Sequence, residues 1–78
     1  MTLTKVMYMY SKPDCTWCDK TSILLKNYGY ETIKFDITTH NDAKEFFKGE
    51  GFKTVPQIYN GNIYIGGYTE LEKYLGHV

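Results

Sequence analysis

Residues 5–18 read Lys5-Val6-Met7-Tyr8-Met9-Tyr10-Ser11-Lys12-Pro13-Asp14-Cys15-Thr16-Trp17-Cys18. The run from Lys5 to Tyr10 is nearly all apolar and rich in Val and Tyr, so it reads as a strand buried on both faces. Pro13 has no N–H to give a ladder, and Ser11-Lys12-Pro13-Asp14 therefore reads as a loop. From about Cys15 to Tyr28 the spacing becomes helical. Ile23, Leu24, Leu25 and Tyr28 are the expected apolar stripe, with Asp19, Lys20 and Lys26 largely elsewhere. Gly29 is the expected C-terminal cap.

The cysteine pair takes its meaning from this context. A helix start carries N–H groups without intrahelical partners and a partial positive charge. A thiolate there is stabilised, and its pKa falls below the free value of about 8.5. Cys15 stands at the mouth of the helix. Cys18 sits one turn further in, where greater burial and a higher pKa are expected. That asymmetry makes Cys15 the attacking thiol and Cys18 the resolving one. Lys12 and Lys20 add positive field, and Asp14 and Asp19 oppose it. Zinc and a purely structural disulfide are the minor alternatives. Zinc needs four ligands, and the other soft candidates, His40 and His77, stand at no zinc-finger spacing. A bridge closing so short a loop adds little stability.

Beyond this unit, Glu31 to Ile37 alternates, with Ile33, Phe35 and Ile37 on one face, as in a half-buried strand. A second helix is expected from Asn41 to Lys48, with Ala43, Phe46 and Phe47 on its core side. Thr38, Thr39 or Asn41 is its expected cap, and Gly49 and Gly51 end it. Gln57-Ile58-Tyr59 and Asn62-Ile63-Tyr64-Ile65 flank Asn60-Gly61, a hairpin signal that expects positive φ at both turn residues. After Gly66-Gly67, Thr69 and Glu72 read as a capping box for a last helix that buries Tyr68, Leu71, Tyr74 and Leu75. The order is β-α-β-α-β-β-α. It predicts an α/β fold with a four-stranded mixed sheet, three helices and one right-handed parallel crossover.

Composition narrows the function. The 78 residues include nine lysines, no arginine and nine acids, for a net charge of zero. One domain over 1–78 is expected. The 42% hydrophobic and 23% charged residues are a globular and not a disordered composition. Balanced charge argues against nucleic acid or an anionic membrane as partner, and the missing arginine removes the usual bidentate phosphate ligand. The start of the chain shows neither a membrane-length apolar run nor a small-residue cleavage site. The single close cysteine pair points to a reducing, cytoplasmic-type compartment. Tyr28, Tyr30, Tyr59, Tyr64 and Tyr74 are read as packing, Phe46 and Phe47 as core, and Lys53 as a solvated neighbour. His40 and His77 are read as exposed and without a role.

Three segments together carry a family resemblance. Tyr10-Ser11-Lys12-Pro13-Asp14-Cys15-Thr16-Trp17-Cys18, Thr54-Val55-Pro56-Gln57-Ile58 and Ile65-Gly66-Gly67-Tyr68-Thr69-Glu70 resemble, in order, the active-site segment and the two glutathione-binding segments of a glutaredoxin. The resemblance implies a thioredoxin-like fold, with Cys15 attacking and Cys18 resolving. It implies a glutathione site in which Val55 offers backbone N–H and C=O and Pro56 is cis. Thr69 and Glu70, with the N–H groups of Tyr68 and Thr69, would hold the γ-glutamyl end, and Gly67 would clear space. Lys12 would take the glycyl carboxylate with help from Tyr10, Thr54 or Gln57, and Trp17 would face the substrate. The implied activity is glutathione-dependent reduction of protein–glutathione mixed disulfides and of protein disulfides by a monomer. Ribonucleotide reductase is a common family partner. The sequence departs from the frequent Cys-Pro-Tyr-Cys at Thr16 and Trp17. Thr16 in place of proline leaves open a carrier of a glutathione-ligated [2Fe–2S] cluster bound through Cys15; the other alternative, a redoxin reduced by thioredoxin reductase, ranks second because such relatives usually lack the Gly66-Gly67-Tyr68-Thr69-Glu70 segment present here.

Overall fold

The structure is a computed structural model and describes residues 5–76. Its elements are β1 (Lys5–Ser11), α1 (Thr16–Asn27), β2 (Tyr30–Asp36), α2 (Asn41–Gly49), β3 (Gln57–Asn60), β4 (Ile63–Gly66) and α3 (Tyr68–Tyr74). The sheet order is β2-β1-β3-β4. β1 pairs parallel with β2, from Lys5 opposite Tyr30 to Ser11 opposite Asp36. It pairs antiparallel with β3, Tyr10 opposite Gln57, and β3 pairs antiparallel with β4. The expected mixed sheet, element order and thioredoxin-like architecture are all present. No helix among the described residues is long and apolar enough to cross a membrane.

Strand alternation divides the molecule into two faces. Met7 and Met9 of β1 and Ile58 of β3 point one way, into a core with Cys18 and Leu25 of α1 and Leu71 of α3. Tyr8, Tyr10 and Tyr59 lie on the other face. There Tyr10 stacks on Phe46 of α2 with centroids 5.0 Å apart, and Tyr8 stacks on Phe35 at 5.9 Å. This second face is only half-buried, so β1 is not enclosed on both sides as its sequence led us to expect.

Four local expectations need correction. Ile23 is 62% exposed, and the buried face of α1 is Cys18, Thr21 and Leu25. Thr21 tolerates burial because its hydroxyl donates to the Trp17 carbonyl at 2.7 Å. On β2, Ile33 is exposed because this strand is an edge that α2 covers only in part. On α2, Phe47 is buried while Phe46 stays part-exposed, and the cap is His40, whose Nδ1 accepts from Ala43 N–H at 3.3 Å. His77 lies outside the described residues.

The hairpin and the last helix also differ in register. Asn60 stays in the ladder opposite Ile63, and its side chain donates to the Tyr74 hydroxyl at 2.7 Å. The loop is Gly61-Asn62, with positive φ at Gly61 alone (61°), the pattern of a II′ turn. Tyr74 is therefore part-exposed and reaches out to the hairpin. α3 is capped at Gly67, whose N–H donates to the Glu70 carboxylate at 2.9 Å. Thr69 thus lies inside the first turn and is not its cap. Gly66 has φ of 123°, and a Cβ there would stand 2.8 Å from Glu70 Cγ. A glycine at 66 is what lets Glu70 fold back over the turn.

Candidate active site

The loop after β1 delivers the cysteines. Asp14 takes a left-handed φ of 58°, which Asp tolerates better than most residues, and this turns the chain into α1. Cys15 is the N-cap of α1, and its Sγ accepts the Cys18 N–H at 3.1 Å. Cys15 and Cys18 are joined as a disulfide, with Cα atoms 5.2 Å apart. Cys15 is 9% exposed and Cys18 2%. The Cys15 sulfur thus faces a backbone donor at the start of a twelve-residue helix, a setting that in general favours a thiolate.

Two adjoining grooves open beside Cys15. The larger, about 460 Å³, is lined by Lys12, Cys15, Thr16, Trp17, Ile37, Phe47, Lys53, Thr54 and Val55. The smaller, about 200 Å³, is lined by Trp17, Thr54, Val55, Pro56, Gly67, Tyr68, Thr69 and Glu70. Trp17, Thr54 and Val55 belong to both, so the two form one continuous trough. The Val55–Pro56 bond is cis, as the resemblance implied. At the far end, the first α3 bond runs from Leu71 N–H to Gly67 C=O, which leaves the N–H groups of Tyr68, Thr69 and Glu70 at the helix start. Trp17, 51% exposed, forms a wall: its ring lies 5.2 Å from that of Tyr68, with the Lys20 ammonium 4.5 Å above it.

The trough brings together Cys15, Lys12, Trp17, Thr54, Val55, Pro56, Gly67, Tyr68, Thr69 and Glu70. Cys18, the inner half of the disulfide, lines a second hollow with Lys12, Asp14, Asp19, Lys34 and Asp36. Tyr10 does not line the trough. It sits on the opposite sheet face among Phe35, Phe46 and Tyr59, where burial pushes its hydroxyl pKa up. Gln57 also lines neither groove; its side-chain amide is bonded to Thr54 and Tyr64. Sequence reasoning placed Ile37 and Phe47 away from the site, read Lys53 as a solvated neighbour and noted Thr16 only as a departure at the motif, yet all four line the larger groove. Lys53 had a signal, since it directly precedes Thr54. Phe47 had none, because one side chain serves both the core and the groove floor.

The chemistry available is thiol–disulfide exchange at Cys15, beside a trough with two ammonium groups on one arm and backbone N–H groups on the other. No Asp or Glu lines the larger groove. Among the described residues no three His, Cys, Asp or Glu side chains gather as a metal-binding group.

Comparisons with known proteins agree with this arrangement. The chain is 38% identical to glutaredoxin 1 of Rickettsia prowazekii over 66 residues, covering 81% of this chain and 70% of that protein. It is 40% identical to glutaredoxin 1 of Rickettsia felis over 62 residues, covering 76% of this chain and 61% of that one. The chain thus spans about two thirds of the length of these relatives. The solution structure of a Brucella melitensis glutaredoxin superposes with a TM-score of 0.71 at 26% identity, over 94% of this chain and 83% of that one. A buckwheat glutaredoxin–glutathione complex shares the fold with a TM-score of 0.71 at 23% identity, over 87% of this chain and 66% of that one. The glutaredoxin family model matches residues 7–65, well over half of the sequence, and the chain belongs to the glutaredoxin family.

Proposed function

We propose that this chain is a glutathione-dependent thiol–disulfide oxidoreductase that acts on protein–glutathione mixed disulfides and on protein disulfides. The observation that carries this reading is the trough: a helix-capping cysteine opens onto a cis-proline segment at one side and the first-turn N–H groups of α3 at the other. Glutathione is an extended tripeptide with a carboxylate at each end and an amine at one. The Val55 backbone would pair with its cysteinyl residue as an added strand does. The Tyr68 and Thr69 N–H groups would take the γ-glutamyl carboxylate. Glu70, which gives one oxygen to Gly67, would offer the other to the amine. Lys12 would face the glycyl carboxylate.

In the first step the Cys15 thiolate attacks the glutathione sulfur of a mixed disulfide. The Cys15–glutathione bond forms, the protein–sulfur bond breaks, and the protein leaves as a thiolate that takes a proton from water. A second glutathione thiolate then attacks the glutathione sulfur on Cys15, releasing oxidised glutathione and regenerating the Cys15 thiolate. With a protein disulfide, Cys15 forms a mixed disulfide with the target. Cys18, after losing its proton, attacks the Cys15 sulfur, and the target leaves reduced. Each step exchanges one S–S bond for another, and it runs fastest when the attacking thiol has a pKa near ambient pH.

The test is coupled NADPH consumption with a glutathionylated peptide. One reaction contains glutathione and glutathione reductase, the other thioredoxin reductase alone. Turnover in the first and not the second is the expected result. Turnover only with thioredoxin reductase, or none in either together with a visible-absorbing brown protein from anaerobic purification, would overturn it.

A further inference from the structure

Gln57 is a buried amide beside the trough that reaches no part of it. Its Nε2 donates to the Thr54 carbonyl at 2.9 Å and approaches the Thr54 hydroxyl at 3.4 Å. The Tyr64 hydroxyl donates to its Oε1 at 2.5 Å. The Thr54 carbonyl can only accept, so the nitrogen must face it, and the amide oxygen is then left for Tyr64. Both partners of the amide are thereby assigned.

The consequence lies in the Thr54–Val55 peptide. The only cis bond among the described residues is the next one, Val55–Pro56, so this peptide is trans. In a trans peptide the C=O and the following N–H point in opposite directions. A Thr54 carbonyl held inward by Gln57 therefore turns the Val55 N–H outward, at a residue lining both arms of the trough. Pro56 has no N–H, so Val55 is the last backbone donor before β3 begins. We propose that Gln57, anchored by Tyr64, is a positioning residue that holds the Thr54–Val55 peptide with the Val55 N–H facing the substrate, for the peptide backbone of glutathione. This rests on the glutathione reading above. It replaces the expectation that Gln57 meets the glycyl carboxylate, and it makes the far hairpin strand part of the site's support.

Four measurements test it. Gln57→Leu should raise KM for a glutathionylated peptide by about tenfold, the scale of one buried hydrogen bond left unmade. Its kcat should change by less than about twofold. Gln57→Glu should match the Leu variant at about pH 8 and recover toward wild type as the pH falls through the pKa of the introduced carboxyl, which burial raises, because a neutral carboxylic acid can donate to the Thr54 carbonyl and a carboxylate cannot. Comparing the two variants at each pH cancels the titration of Cys15. Tyr64→Phe should raise KM in the same direction by less, with an unchanged melting temperature. The Val55 amide resonance of the free protein should shift in Gln57→Leu and return in the protonated Glu variant. A KM within about twofold of wild type in Gln57→Leu, with an unmoved Val55 resonance, overturns the proposal. If Gln57→Leu does not fold, the pH dependence of the Glu variant and the Tyr64→Phe result decide. If the wild type itself shows no glutathione-coupled turnover, the proposed function fails, and the Val55 resonance alone decides the positioning.

Discussion

At Cys15 and Cys18 the two sulfurs differ by one helical turn, and in the proposed function that turn separates their roles. Cys15 caps the helix at its exposed end, while Cys18 is sealed beneath it. Cys15→Ser should remove all turnover. Cys18→Ser should keep activity on glutathionylated peptides and lose reduction of protein disulfides; equal loss of both would make the dithiol route obligatory. Parallel assays on the two substrate types distinguish these results. Tyr10 gives the opposite kind of prediction. Its ring is on the face away from the trough, so Tyr10→Phe should leave KM for glutathione substrates within about 1.5-fold of wild type. A tenfold rise measured by steady-state kinetics would return it to the site.

Among the elements, α3 shows how a short helix serves a site. Its first turn supplies donors that its own backbone does not use, and Glu70 bends back to the Gly67 N–H, closing the turn. Proline is tolerated in a first turn because the missing N–H has no intrahelical partner there. Thr69→Pro should raise KM for glutathione about fivefold, the worth of one hydrogen bond, with a modest fall in melting temperature because proline disfavours the helical backbone of Tyr68 before it. An unchanged KM would take the Thr69 N–H out of the site. Lys12→Glu, on the other arm, should raise KM with a loss that shrinks at high salt, since the interaction is between solvent-facing charges.

The whole molecule rests on unequal faces. Met7, Met9, Leu25, Ile58 and Leu71 are fully buried on one side of the sheet, while the aromatic side stays partly open. A chain of this size has little surplus stability. Leu25→Ala should cost about 2–5 kcal/mol, a large share of the total, read as a fall in the urea midpoint. Acid sensitivity should come in part from Asp36, at the end of β2. Hydrogen bonds from the Thr38 hydroxyl and N–H, and from Thr39, hold its carboxyl below the usual range. A depressed folded pKa contributes stability that is present above the unfolded pKa of about 3.9 and lost as pH falls through the folded value. Asp36→Asn should therefore melt below wild type at neutral pH, and the gap should close in acid. A gap that persists unchanged in a melting series at low pH would assign the effect to something other than the charge.

Much of this protein was legible without coordinates, because the information was local. Strand, loop and helix start around the cysteines follow from one proline, one dipolar helix end and a change of hydrophobic period. Membership in the family follows from three short segments in the right order, and the resemblance carried the cis bond at Pro56. What the sequence could not show was orientation. A 3.6-residue period places Ile23 and Thr21 on different faces of α1, but only packing decides that the hydroxyl goes in and the isoleucine out. Tyr10 and Met9 are both apolar neighbours on a central strand, and only the sheet's two unequal faces put one in the closed core and the other among rings. Asn60 leaves the turn because Tyr74, fourteen residues on, takes its amide. Gln57 is one of several polar residues near the cysteines, and only the fold shows its amide turned inward. Those decisions depend on contacts between distant residues, and such contacts exist only once the chain has closed on itself.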